Sequence, residues 1–253
     1  MSSSSPVALV TGAGSGIGRE VAIHLSAKGH RVALTARNVE QLQETASRCG
    51  PETTIVAADI TDQGAIDALF THIEDRWGSV DVLVANAGAG TSAPLHKTTD
   101  DQWRSMLEVN LTAPFRCIRR AVPGMVAGGY GRIVAVASVA AKRGEPYVSA
   151  YTSSKHGLLG LVRSAAAELA TTGVTANAVC PGYVDTPMTQ RTIAEIAKVA
   201  GRTAADARAA LEAKQLNRRL VRIDEVRDAV WFCISNAALN GQSIAIDGGA
   251  IQV

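Results

Sequence analysis

The chain has 253 residues, of which 47% are hydrophobic, 19% are charged and only 4% are aromatic. This length suits one large α/β domain over residues 1–253, and the aliphatic composition excludes a disordered protein. The 25 basic and 23 acidic side chains leave a net charge of +2, far short of the basic field that nucleic-acid binding requires. Nucleic acid is therefore excluded as an expected partner.

The cysteines and the first residues bear on compartment and metal binding. Cys49, Cys117, Cys180 and Cys233 form no C-x-x-C pair, so the sequence predicts reduced thiols and no metal site. Ser2 to Ser5 lack the basic and apolar regions of a signal peptide, and no stretch approaches the apolar length of a membrane span. We expect a cytoplasmic protein with no membrane partner.

Short β-branched runs alternate with helical patterns along the chain, beginning with a strand at Val7 to Thr11 and a helix at Gly16 to Lys28. The other predicted strands are Arg31 to Thr35, Thr54 to Ala57, Val82 to Ala85, Arg132 to Ala137, Thr175 to Val179 and Ser243 to Ile246. The other predicted helices are Val39 to Arg48, Asp62 to Trp77, Asp100 to Val126, Tyr151 to Thr171 and Ile223 to Asn236. This alternation predicts a doubly wound, parallel, seven-stranded sheet of the Rossmann type with helices on both faces.

The segment from Pro187 to Arg222 interrupts this alternation, since it has helical, Ala-rich patterning and no strand signal. A long excursion after a strand is typical of a lid over a binding site, although a solvated surface helix is the alternative. As a lid, it should line a pocket with its apolar residues Met188, Ile193, Ile196 and Leu216. Its basic residues Arg191, Arg202 and Lys214 could meet an anionic tail of the substrate or could only face solvent.

The loop Thr11 to Arg19 joins the first strand to the first helix and has the spacing Gly12-x-x-x-Gly16-x-Gly18. Glycines permit unusual backbone angles and close approach of a pyrophosphate, and the helix N-terminus offers free N–H groups to the phosphates. The loop therefore predicts a dinucleotide site that uses Gly12, Ser15, Gly16, Ile17 and Gly18.

The end of the second strand distinguishes the two nicotinamide cofactors. An acidic residue there would bind the ribose 2′-hydroxyl and repel a 2′-phosphate. The sequence instead has Arg37 and Asn38, with no carboxylate available. Because a guanidinium can bind the 2′-phosphate and stack on adenine, we expect NADP(H) to be preferred over NAD(H). An ordinary surface arginine is the alternative.

A second set of polar residues is Ser138 at a strand end, Tyr151 thirteen positions later and Lys155 one helical turn beyond the tyrosine. Spacing of four residues places Tyr151 and Lys155 on one helix face. The pKa of tyrosine is ordinarily near 10, so a nearby cation is needed to favour the phenolate, and Lys155 can supply it. Ser138 can donate a hydrogen bond to a substrate oxygen.

Together these motifs resemble the short-chain dehydrogenase/reductase family in its single-domain form, and the similarity covers essentially the whole chain. The resemblance implies that Asn110 is catalytic and holds a water between Lys155 and solvent, and that Lys155 and Tyr151 also contact the cofactor. It further assigns Asp59 and Ile60 to the adenine, Asn86, Ala87 and Gly88 to the segment beside the cofactor, and Pro181, Gly182, Val184 and Thr186 to the nicotinamide.

The resemblance implies NADPH-dependent reduction of a ketone to a secondary alcohol, with Tyr151 as the general acid. Local similarity to 3-oxoacyl thioester reductases and aromatic polyketide ketoreductases suggests a 3-oxoacyl thioester or a polyketide-like carbonyl. Gly129 and Thr172 stand where carrier-protein reductases tend to have basic residues, so coenzyme A thioesters and free ketones stay open.

Three other functions remain as alternatives. The chain could oxidise a secondary alcohol or a 3-hydroxyacyl-CoA, it could bind a dinucleotide as a sensor or scaffold without catalysis, or it could resemble a sugar-nucleotide epimerase. The short C-terminal segment counts against the epimerase. The helices Asp100 to Val126 and Tyr151 to Thr171 carry apolar stripes on two faces. The resemblance implies a homotetramer that pairs these helices across a two-fold axis and has a second interface near Ile246 to Val253.

Overall fold

A computed structural model describes residues 5–252 and confirms the predicted Rossmann-type sheet. Seven parallel strands lie in the order β3-β2-β1-β4-β5-β6-β7. Their bounds are β1 Val7–Thr11, β2 Arg31–Ala36, β3 Thr53–Ala57, β4 Val82–Ala85, β5 Gly131–Val136, β6 Val174–Pro181 and β7 Ser243–Ile246. The expected interface residue Val253 lies outside the described residues.

Helices cover both faces of the sheet. They are α1 Gly16–Ala27, α2 Val39–Ala46, α3 Gln63–Trp77, α4 Asp100–Leu107, α5 Ala113–Ala127, α6 Ser149–Glu168, α7 Pro187–Ala200, α8 Ala204–Glu212 and α9 Ile223–Ser235. One apolar core lies between the sheet and α3, α5 and α6, and a second lies between the sheet and α1, α2 and α9. None of the helices described within residues 5–252 is long and apolar enough to cross a membrane.

Strand β1 shows why the strand sequences are almost continuously apolar. Val7 and Leu9 belong to one core, whereas Ala8 and Val10 belong to the other, and all four are at most 1% exposed. Successive side chains of a strand point to opposite faces, so a strand covered on both sides needs apolar residues at every position.

The position of the site follows from the strand order. The chain runs from β1 outward through β2 to β3, and then crosses to β4 on the other side of β1. Crossovers that diverge in this way leave a crevice at the carboxyl ends of β1 and β4. The residues after β1, β2, β4, β5 and β6 therefore meet at one edge of the sheet.

The predicted single helix from Asp100 to Val126 is in fact interrupted. Helix α4 ends at Leu107, a π-helical turn spans Glu108–Thr112, and α5 begins at Ala113. A π-turn inserts one extra residue without changing the apolar pattern much, so periodicity does not reveal it. The turn contains Asn110, which is fully buried.

The predicted lid segment, residues 187–222, contains two helices, α7 and α8. Gly201 ends α7 in the left-handed conformation, with φ of 62°, and Thr203 caps α8. Of its apolar residues, Met188 faces the large cleft at the sheet edge, but Ile193 is buried in a separate small core with Ile196 against it. Leu216 is 65% exposed. The prediction that Ile193, Ile196 and Leu216 line the pocket was wrong, because the two isoleucines pack α7 against α8 and Leu216 lies outside the cleft.

Candidate active site

A cleft of about 630 Å³ lies at the carboxyl edge of the sheet, a volume typical of small-molecule sites. The structure brings nearly all of the predicted site residues to its walls. They are Gly12, Ser15, Gly16, Ile17, Arg37, Asn38, Asp59, Ile60, Asn86, Ala87, Gly88, Ser138, Tyr151, Lys155, Pro181, Gly182, Val184 and Thr186. Gly18 and Asn110 are the exceptions, and both lie behind the wall.

The glycine loop depends on the absence of side chains. Gly12 and Gly16 have φ of 66° and 56°, which is the left-handed region that favours glycine. A Cβ atom on Gly12 would lie 2.9 Å from the Ala87 Cα. A Cβ atom on Gly18 would overlap the Gly12 carbonyl, so Gly18 allows α1 to pack against the loop and does not line the cleft.

Hydrogen bonds join the end of β1 to the segment after β4. The Thr11 hydroxyl accepts from the backbone N–H groups of Asn86 and Ala87, each at 3.0 Å. The Asn86 side-chain amide donates to the Thr11 carbonyl at 2.9 Å and to the Gly12 carbonyl at 3.3 Å. These bonds fix the separation of the two strand ends that form the floor of the cleft.

A nicotinamide dinucleotide fits this cleft. Gly12, Gly14 and Gly16 line it, so backbone rather than side chains faces the position of a pyrophosphate. Ser15 precedes α1 with an extended backbone, and its side chain makes no capping bond to the helix. The first N–H groups of α1 are therefore free to bind an anion.

Residues after β2 and β3 form the far end of the cleft. Arg37 is exposed, and no ion pair joins it to any residue in the described part of the chain. The Asn38 side chain accepts from the Gln41 N–H at 2.7 Å and caps α2. Asp59 accepts two hydrogen bonds from Thr61, at 3.0 and 2.8 Å. These bonds, with a smaller contribution from Arg37, lower the pKa of Asp59 and keep it ionised.

Ser138 and Tyr151 approach the cleft from β5 and α6. The Ser138 hydroxyl accepts from the Ala140 N–H at 3.1 Å, at the start of a 3₁₀ turn over Val139–Ala141. Tyr151 lies in the first turn of α6. Burial raises the pKa of the Tyr151 hydroxyl, and a hydrogen bond with Ser138 partly opposes this effect. Tyr151 is therefore protonated near neutral pH.

Lys155 lies one turn further along α6 and is only 4% exposed. Its Nζ donates to the Val136 carbonyl at 3.0 Å and is 5.8 Å from the centre of the Tyr151 ring. Burial lowers the pKa of Lys155 to about 8. Burial is the main cause of both pKa shifts, so the expected effect of Lys155 on the Tyr151 phenolate stays a prediction.

Asn110 supports the site from the π-turn. Its Oδ1 accepts from the Ala89 N–H at 3.1 Å, and its Nδ2 donates to the Ala89 carbonyl at 2.9 Å. A Cβ atom on Gly88 would lie 2.7 Å from Asn110 Oδ1 and 3.5 Å from Lys155 Nζ. Gly88 thus lets the Asn110 amide and the Lys155 ammonium approach the same stretch of backbone.

The end of β6 forms the remaining wall with Pro181, Gly182 and Val184. Thr186 caps α7, since its hydroxyl accepts from the Thr189 N–H at 3.3 Å. The Thr186 methyl group lies near the glycine loop, at 3.6 Å from the Cβ position of Gly16. The lid segment therefore begins directly beside the loop after β1.

Several residues at the site were missed by sequence reasoning. Arg19 donates to the Gly14 carbonyl and forms an ion pair with Glu44 at 2.6 Å, and this contact fixes the glycine loop. The cleft is also lined by Gly14, Gln41, Ala89, Ser105 and Glu108, in addition to the predicted Met188 and the lid residue Arg191. Only the position of Arg19 inside the glycine motif gave a signal, because the other contacts depend on tertiary structure.

Comparison with known proteins places the chain among oxidoreductases. The model of the short chain dehydrogenase family matches residues 6–197. The chain is 39% identical to cis-4-hydroxycyclohexanecarboxylate dehydrogenase of Sinomonas cyclohexanicum, over 98% of this chain and 97% of the relative. It is 32% identical to 3-oxoacyl-[acyl-carrier-protein] reductase of Escherichia coli, over 98% of each chain.

A solved structure agrees with these sequence matches. The crystal structure of a variant of actinorhodin polyketide ketoreductase with NADPH superposes with a TM-score of 0.93. That protein is 37% identical to this chain, and the match covers 97% of each. The resemblance inferred from the sequence motifs is thereby confirmed.

The buried charge of Lys155 leads to a prediction about stability. The pKa of Lys155 is about 8 in the folded protein, whereas its ordinary value is 10.5. The buried charge therefore lowers the free energy of unfolding below pH 8, and this cost disappears as the pH rises from about 8 to 10.5. Lys155→Met should raise the free energy of unfolding at pH 7 by about 1 to 2 kcal/mol.

Urea unfolding at pH 7 and pH 10 measures this effect, with the exposed Lys198→Met as the control. The gain from Lys155→Met should shrink at pH 10, whereas the control should change little at either pH. A loss of stability at pH 7 would show that the Lys155 charge is not penalised by burial.

Proposed function

Since the chain belongs to the short-chain dehydrogenase family and is an oxidoreductase acting on hydroxyl or keto groups, we propose that it reduces a ketone to a secondary alcohol with NADPH. The observation that carries this proposal is the convergence of Ser138, Tyr151 and Lys155 on one cleft that also contains the glycine loop. A protein that only bound the dinucleotide would not need this acid beside it, which argues against a sensor or scaffold.

Tyr151 is the general acid in this proposal. A bound nicotinamide would supply the hydride. The Tyr151 hydroxyl, protonated at neutral pH because burial raises its pKa, donates its proton to the ketone oxygen. Ser138 donates a hydrogen bond to the same oxygen and holds it beside Tyr151.

Lys155 acts on the charge that this transfer leaves behind. Once Tyr151 has given up its proton, the Lys155 ammonium, 5.8 Å from the centre of the ring, stabilises the phenolate until a new proton arrives. Asn110 orients the backbone at Ala89 through its pair of hydrogen bonds, and thereby positions the segment against which Lys155 lies. We assign Asn110, Ser138, Tyr151 and Lys155 to catalysis on these grounds.

The preference for NADP(H) depends on Arg37. Its exposed guanidinium follows β2 at the end of the cleft, where the 2′-phosphate of the cofactor would lie. Both hydrogen bonds from Thr61 go to Oδ1 of Asp59. The other carboxylate oxygen, Oδ2, would accept from the adenine amine. The glycine loop would hold the pyrophosphate, and Lys155, Val184 and Thr186 would hold the nicotinamide half.

A 3-oxoacyl thioester or a polyketide-like carbonyl is the proposed substrate class. Proteins named for these reactions are among the relatives, while Gly129 and Thr172 give no basic contact for an acidic carrier protein. Oxidation of a ring alcohol is the second candidate, because a relative named as a dehydrogenase of a hydroxycyclohexane acid is 39% identical. In that direction Tyr151 would be the base.

We further propose a cytoplasmic homotetramer. Trp103 on α4 and Phe115 on α5 are each 40% exposed, although both are large apolar side chains. Exposed apolar patches mark association surfaces, and two-fold symmetry is the commonest symmetry of homo-oligomers. Helix α6 lies beside α4 and would extend the same interface.

Tyr151→Phe tests the acid directly. The substitution removes the hydroxyl and little volume, so kcat for ketone reduction should fall by roughly 10²- to 10⁴-fold. The Kd for NADPH, measured by calorimetry, should change little. Tyr147→Phe is the matched control, since Tyr147 is exposed and lies outside the cleft. Near-normal turnover by Tyr151→Phe would defeat the assignment.

Arg37→Gln tests the choice of cofactor. The substitution should raise the Kd for NADPH by about tenfold or more, and should leave the Kd for NADH nearly unchanged, because only NADPH has the 2′-phosphate. Fluorescence titration with both nucleotides gives the comparison. Equal losses for the two cofactors would refute the preference for NADP(H).

Sedimentation velocity at micromolar concentration tests the assembly. The proposed homotetramer should sediment as one species of about four times the chain mass of 26.3 kDa. Phe115→Glu should shift the population toward smaller species, since it buries a charge in the proposed interface. A wild-type monomer at this concentration would contradict the proposal.

A further inference from the structure

Among the described residues that line the cleft, three carry a positive charge: Arg37, Lys155 and Arg191. The proposed function gives Arg37 to the 2′-phosphate and Lys155 to the region beside Tyr151. It gives Arg191 no role. A cation that lines this cleft from the lid segment can bind an anionic group of a ligand.

Arg191 is well placed to reach the phosphate end of the cleft. It lies on the same face of α7 as Met188, three residues earlier, and both line the cleft. Ile193, on the other face, is buried in the small core between α7 and α8. Helical side chains lean toward the helix N-terminus, which favours an Arg191 side chain that runs along α7 toward Thr186.

The N-terminus of α7 lies against the glycine loop. The Cβ position of Gly16 is 3.6 Å from the Thr186 Cγ2 and 3.9 Å from the Pro187 Cδ. A side chain that extends along α7 toward this end therefore approaches the backbone that would bind the pyrophosphate.

The glycine loop itself offers no free side-chain charge for a pyrophosphate, which carries two negative charges. Residues 12–18 contain no charged side chain. Arg19 is already occupied, since its guanidinium binds the Gly14 carbonyl and the Glu44 carboxylate. Free N–H groups at a helix N-terminus supply partial charge only, so a full positive charge at this point would add to binding.

Arg191 is available for this contact. Within residues 5–252 its side chain forms no ion pair, whereas Arg208 on α8 is paired with Asp185 at 3.1 Å and with Glu212 at 2.9 Å. The only acidic residues that line the cleft are Asp59 and Glu108 in the described part of the chain. Asp59 is bonded to Thr61, and Glu108 is paired with Arg116 at 2.5 Å.

We propose that Arg191 binds the pyrophosphate of the nicotinamide cofactor from the lid segment. This inference rests on the proposed function, because it assumes that the cleft binds a dinucleotide. The cofactor would then connect the glycine loop on the sheet to α7, and cofactor binding would order the lid segment. Arg191 would add affinity for NADPH and NADH alike, since both contain the pyrophosphate.

Ligand titrations with Arg191→Gln test the inference. The ligands are NADPH, NADH and adenosine 2′-monophosphate, which lacks the pyrophosphate. The variant should raise the Kd for NADPH and NADH by the same factor, about tenfold, and leave the Kd for adenosine 2′-monophosphate unchanged. Arg37→Gln should instead raise the Kd for NADPH and for adenosine 2′-monophosphate, and leave the Kd for NADH nearly unchanged. Arg191→Lys should retain part of the affinity, because it keeps the charge.

Arg202→Gln is the matched control. Arg202 follows α7, is exposed and lies outside the cleft, so its loss changes the charge of the lid segment equally but should not change the affinity for either dinucleotide. Equal weakening by Arg202→Gln and Arg191→Gln would overturn the inference in favour of a general charge effect. Unchanged dinucleotide affinity in Arg191→Gln would also overturn it.

Hydrogen exchange supplies a readout that does not depend on activity. Saturating NADPH should protect residues 187–200 in the wild type, and Arg191→Gln should lose that protection even when saturated. Equal protection in both proteins would overturn the connection to the lid. If the wild type bound neither NADPH nor NADH, the proposed function itself would fail, and this outcome is distinct from an effect confined to Arg191.

Discussion

The cleft depends on the close approach of two backbone segments, the loop after β1 and the segment after β4. The Thr11 hydroxyl and the Asn86 amide join them by four hydrogen bonds, and a Cβ atom on Gly12 would collide with Ala87. These contacts hold the start of α1 and the segment after β4, to which Asn110 is bonded, in fixed positions. A small polar residue, an amide and a glycine thus determine where a dinucleotide can lie.

Burial is the second constraint, and it acts on the chemistry. The pKa of Tyr151 is raised and the pKa of Lys155 is lowered to about 8, in both cases chiefly by desolvation. A buried ammonium costs stability, yet it is close enough to Tyr151 to stabilise a phenolate formed during a reaction. In the proposed ketone reduction, Tyr151 is thus a protonated acid, and the Lys155 charge that would stabilise its conjugate base lies beside it.

Much of this could be predicted from the sequence, and the exceptions have physical causes. The strands are buried on both faces, so β-branched runs mark them clearly, and the spacing of Tyr151 and Lys155 fixes their common helix face. The π-turn around Asn110 leaves no mark in the apolar pattern. The burial of Ile193 between α7 and α8 and the pairing of Arg19 with Glu44 depend on partners distant in sequence, which periodicity cannot identify.

Isotope transfer tests most directly whether the cleft carries out hydride transfer to a ketone. The protein would be incubated with NADPH deuterated at the transferable C4 position and with ketones that do or do not carry a coenzyme A thioester. If the proposed hydride transfer occurs, the alcohol product should carry deuterium on its carbinol carbon, as measured by mass spectrometry. Alcohol without the label, or NADPH binding with no alcohol from any ketone, would contradict it.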